Sequence, residues 1–65
     1  MTERERDRLN IADLEDVIKA VEAALEAIQA GEHEKFAYQL GFARGRLSRL
    51  SARIYEAGEF GEATQ

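Results

Sequence analysis

Apolar residues in the first half of the chain fall at Ile11, Leu14, Ile18, Val21, Leu25 and Ile28, with spacings that alternate between three and four. That rhythm is one stripe of an α-helix, and it predicts a helix over about residues 10–30 with a coiled-coil-like seam. Asn10, followed three residues later by Asp13, reads as a start signal, and Gly31 after Ala30 reads as a stop. Thr2 with Glu5 is a competing capping box that would start the helix earlier. The second half repeats the rhythm at Phe36, Leu40, Ala43, Leu47, Leu50 and Ile54, which predicts a second helix over about 33–57 with Gly58 as its stop.

The two seams match if the chain folds at Gly31–Glu32. One register then layers Ile28 on Phe36, Leu25 on Leu40, Val21 on Ala43, Ile18 on Leu47, Leu14 on Leu50 and Ile11 on Ile54, and it brings Glu22 near Arg44 along one edge. The expected fold is therefore all-α, an antiparallel two-helix hairpin spanning 10–58. A charged leader at 1–9 precedes it, and a flexible tail at 59–65, with Phe60 its lone aromatic, follows.

Opposite its seam, the second helix carries another regular row: Tyr38, Gly41, Gly45, Ser48, Ala52 and Tyr55. Glycine inside a helix is unfavourable by roughly 1 kcal/mol relative to alanine, so two of them suggest close approach of another backbone. In an antiparallel two-fold pairing, Tyr38 meets Tyr55 of a second copy, Gly41 meets Ala52 and Gly45 meets Ser48, while Phe42 nears Arg49 at the rim, where a cation–π contact forms. These eight residues are the expected homodimer interface, and the expected assembly is a four-helix bundle or a higher oligomer.

Size supports assembly. The chain has 65 residues and 7.3 kDa, small enough that a single core is usually insufficient without a staple. It has no cysteine, so neither a disulfide nor a thiolate metal site can supply one, and its single histidine excludes a multi-histidine site within one chain. No apolar run approaches the length of a membrane span, and the charged segment from Met1 to Arg8 does not read as a secretory signal, so a cytoplasmic protein is expected.

The net charge of −4 hides a segregation. Asp13, Glu15, Asp16, Glu22 and Glu26 face only Lys19 in the first helix, whereas Lys35, Arg44, Arg46, Arg49 and Arg53 face only Glu34 across 33–55. An acidic helix folded onto a basic one is the plain structural reading, and a basic face recruited for phosphates is the sharper one.

Catalytic chemistry has little to build on. His33 sits between Glu32 and Glu34 at the turn, Ser48 and Ser51 have no histidine partner on their helix, and no glycine-rich phosphate loop is present. Asp13, Glu15 and Asp16 are the acidic first turn that a helix dipole favours and need no metal. A pI near 4.9 argues against tracking along nucleic acid. The expectation is a non-enzymatic protein without cofactor or metal, acting by binding a larger protein, as small phage or mobile-element inhibitors, antitoxin-like regulators and adaptors do. Asp16, Glu22 and Glu26 are its candidate partner-facing acids. The alternative is sequestration of a small anionic nucleotide, such as a cyclic-nucleotide signal, by Arg44, Arg46, Arg49 and Arg53 with Tyr38 and Tyr55 at an oligomer interface.

Overall fold

The computed structural model describes residues 2–56, nearly all of them in two α-helices: α1 (Glu3–Gln29) and α2 (His33–Glu56). Of the two candidate starts for α1, the earlier is used. The Thr2 hydroxyl accepts from the Glu5 backbone N–H at 3.1 Å, and Glu5 Oε1 accepts in return from the Thr2 N–H at 3.3 Å and from its hydroxyl at 2.9 Å. This reciprocal box satisfies otherwise orphaned donors and draws residues 3–9 of the leader into the helix. The stop at Gly58, the end of the second helix at 57 and the 59–65 tail with Phe60 lie outside the described residues.

α1 ends in a Schellman turn. The Glu32 N–H donates to the Ala27 carbonyl at 2.8 Å and the Gly31 N–H donates to the Ile28 carbonyl at 3.2 Å. Gly31 has a φ of +75°, in the left-handed region where a Cβ is unfavourable. Space is not the constraint, because a Cβ there would meet nothing within 4 Å. Gly31→Ala should therefore destabilise the hairpin by about 1 kcal/mol, read as a lower urea midpoint at unchanged slope.

α1 and α2 pack antiparallel, and here the expected layering is corrected. The α1 residues buried against α2 are Asp13, Val17, Ala20, Ala24 and Ala27. Each stands one residue before a member of the expected seam (Leu14, Ile18, Val21, Leu25, Ile28), which places the packed row about 100° around the helix from it. α2 answers with buried Ala43 and half-buried Phe36, Gln39, Arg46, Leu50 and Arg53. Val17, Ala20 and Ala43 form one cluster, so Ala43 packs beside Ala20 and not in a layer with Val21. The physical reason is twofold. Alanines allow two helix backbones to come close, which isoleucine and leucine do not, and Asp13 in the same row finds arginine partners on α2.

The cost of this choice is a thin core. The buried hydrophobics are Val17 and four alanines, and among the described residues no large side chain is completely buried. The expected seam instead lies open, with Ile18 57% and Leu25 55% exposed. Glu22 and Arg44 form no ion pair within the hairpin among the described residues.

Candidate interaction surface

Two features stand out on this frame, a polar clamp between the helices and an apolar face beside them. The clamp centres on Asp13, which is only 6% exposed. Arg53 reaches across from α2, donating from Nη2 to Asp13 Oδ2 at 2.7 Å and from Nη1 to Asn10 Oδ1 at 2.6 Å. Arg46 lies two turns earlier on the same α2 row, with Nη1 3.8 Å from Asp13 Oδ1 and Nε 3.6 Å from Asp16 Oδ2, and its guanidinium sits 5.0 Å from the centre of the Phe42 ring. No buried side-chain polar atom among the described residues lacks a partner.

This clamp changes the standing of several residues singled out in the sequence. Arg46 and Arg53 are engaged by the acids of α1, whereas Arg44 and Arg49 are exposed. Tyr38 and Tyr55 are both exposed, but they lie about 25 Å apart along one helix, so a single chain does not bring them together over one ligand. Of the acids, Asp16 faces Arg46, while Glu22 and Glu26 border an open depression with Lys19 and Lys35.

The small residues of the α2 row face away from α1, while Tyr38 and Phe42 at its flank border a depression shared with α1. Tyr38, Gly41, Phe42, Gly45, Ser48, Arg49, Ala52 and Tyr55 are all exposed, and a Cβ built on Gly41 or Gly45 meets nothing within 4 Å. Among the described residues, then, no close approach accounts for these glycines. Gly41→Ala and Gly45→Ala should each stabilise the helix by about 0.8–1 kcal/mol, seen as a higher melting temperature. A lower temperature that depends on protein concentration would instead mark this row as an interface.

The apolar face is the feature that the hairpin itself does not use. Lys19 and Ala23 of α1 border a shallow depression with Tyr38, Gln39 and Phe42 of α2, which fixes one side of the two-helix layer. The helical repeat turns the α1 stripe (Ile11, Leu14, Ile18, Val21, Leu25, Ile28) to the other side. It turns Leu40 and Leu47 of α2 to that same side, and all eight side chains are exposed. Half-buried Phe36, Leu50 and Ile54 continue the α2 part of this surface toward the groove.

Among the described residues, no three or more His, Cys, Asp or Glu side chains gather as a metal site, and no helix is long and apolar enough to cross a membrane. No protein-family model matches the chain, and comparison with curated proteins and with solved structures finds no match either.

Proposed function

We propose that this chain is a non-catalytic binding protein whose working surface is the leucine- and isoleucine-rich face of the hairpin. The observation that carries the reading is the exposure of that face. Large apolar side chains line most of the length of α1 and are joined by Leu40 and Leu47, while the interior between the helices is built of alanine, valine and a salt-bridged clamp. A contiguous apolar patch of this extent marks a surface that another protein covers. Assembly into a four-helix bundle belongs to the same reading, since paired helices with one apolar face each are the halves of such a bundle. The acidic edge supplied by Glu15, Glu22 and Glu26 would orient the chain toward a basic partner surface.

Nucleotide sequestration draws less support. Two of its four arginines are committed to Asp13 and Asp16, and its tyrosines stand far apart on the outer face of α2. Native mass spectrometry of the protein isolated gently from its own cells tests the choice. The reading expects protein-only assemblies, whether of several copies or with a larger chain. A retained nucleotide mass, or a bare monomer with nothing attached, overturns it.

A further inference from the structure

We infer that a second copy of this chain covers the apolar face, with α1 of each copy lying over α2 of the other. The inference rests on the reading that this face is a protein-binding surface, and it names the protein. Three observations point to self-pairing in this arrangement.

The first is area. By their fractional exposures, the eight open side chains amount to on the order of 700 Å², close to the ~800 Å² each partner contributes to a stable interface. The second is register. A two-fold axis parallel to the helices, running beneath the face, keeps every residue at its own height and exchanges α1 for α2. Leu25 then sits level with Leu40 of the second copy, and Ile18 with its Leu47. The layers that the hairpin leaves unmade inside one chain are thereby made between two chains. Every helix in the resulting bundle runs antiparallel to both of its neighbours.

The third is charge. At 100° per residue, Glu22 is the acid that stands next to the Ile11–Ile18–Leu25 side of the α1 stripe, and on α2 Arg44 stands in the corresponding place beyond Leu40; both are exposed. Placing α1 over α2 brings Glu22 level with Arg44 of the second copy, setting opposite charges together where neither residue forms an ion pair among the described residues. A two-fold axis across the helices would instead stack α1 on α1 and set the two acidic edges against each other, an unfavourable arrangement.

Cysteine cross-linking of the full chain tests the arrangement, because the chain has no cysteine of its own. Under mild oxidation, Leu25→Cys combined with Leu40→Cys should double the mass on a non-reducing gel, and neither single substitution should do so. A disulfide closed within one chain, with no change in mass, overturns the inference, because those positions then meet inside the hairpin. Doubling by Ile18→Cys alone overturns it in favour of α1 over α1. Doubling by Tyr38→Cys with Tyr55→Cys, in place of the first pair, overturns it in favour of the small-residue row of α2. Sedimentation equilibrium of the unsubstituted chain should show a dimer, and a monomer at every concentration overturns self-pairing. In that last case a larger protein retained in native mass spectrometry leaves the binding reading standing, and its absence removes both.

Discussion

Replacing Asp13 by alanine is expected to destabilise the hairpin by about 2–4 kcal/mol, one of the two largest effects of any single change. Its carboxylate is nearly buried and accepts from Arg53 at 2.7 Å, with Arg46 at 3.8 Å on its other oxygen. Removing it leaves two cations on the same face of α2 without the carboxylate they share, Arg53 keeping Asn10, and Arg46 keeping the more exposed Asp16 and the Phe42 ring. Breaking a buried pair from one side typically costs about 3–5 kcal/mol, and the partial exposure of Arg46 reduces that here. A domain of this size has only about 3–5 kcal/mol of core stability to lose, so the variant should be largely unfolded at physiological temperature. The companion substitution separates charge from packing. Asp13→Leu combined with Arg53→Leu removes both charges and should recover most of the loss, because well-packed apolar replacements of a buried pair are often neutral or better. Urea melts of the single and double variants decide it, and an Asp13→Ala protein as stable as the parent would mean that the clamp contributes nothing.

Much of this architecture was legible in the residues. The three-four spacing gave two helices, Gly31 gave the turn between them, and Thr2 with Glu5 gave the cap that α1 uses. Rotational phase is the part that spacing does not carry. Apolar spacing pairs the strongest stripe on α1 with the strongest stripe on α2, which weighs hydrophobicity and leaves out how near two backbones can come. The row one residue earlier, with Ala20, Ala24 and Ala27, allows a closer approach, and its polar member Asp13 is a strength once Arg53 and Arg46 stand opposite. A signal for the clamp did exist. Arg46, Leu50 and Arg53 follow Ala43 at spacings of three, four and three, which is itself a helical row. Two arginines in a row that also carries alanine and leucine call for acids across the groove. Pairing of an acidic helix with a basic one is legible from the charge segregation, but apolar spacing alone does not show that Asp13 stands inside the contact row.

Ile18→Asp should have the opposite profile to Asp13→Ala, with little effect on the hairpin and a large one on assembly. Within one chain Ile18 is 57% exposed and lies outside the buried cluster of Val17, Ala20 and Ala43, so an aspartate there should change the stability of an isolated hairpin by no more than about 0.5 kcal/mol. In the self-paired arrangement the same side chain lies near the middle of the interface, level with Leu47 of the second copy. Losing its apolar contact forfeits about 2 kcal/mol, and desolvating a carboxylate adds to that. The two-fold axis makes each substitution count twice, so the pair should weaken by about 4 kcal/mol or more, roughly a thousandfold in dissociation constant. Lys19→Asp is the control, since Lys19 borders the depression on the other side of the layer and carries comparable helix propensity cost. Sedimentation equilibrium should show Ile18→Asp as a monomer at concentrations where the parent and Lys19→Asp are dimers. Its melting temperature should also fall, because hairpins with an interior of alanine and valine draw much of their stability from being paired. An Ile18→Asp protein with unchanged mass and unchanged melting temperature would place this face in solvent, and the open stripe of α1 would then have no part in holding the protein together.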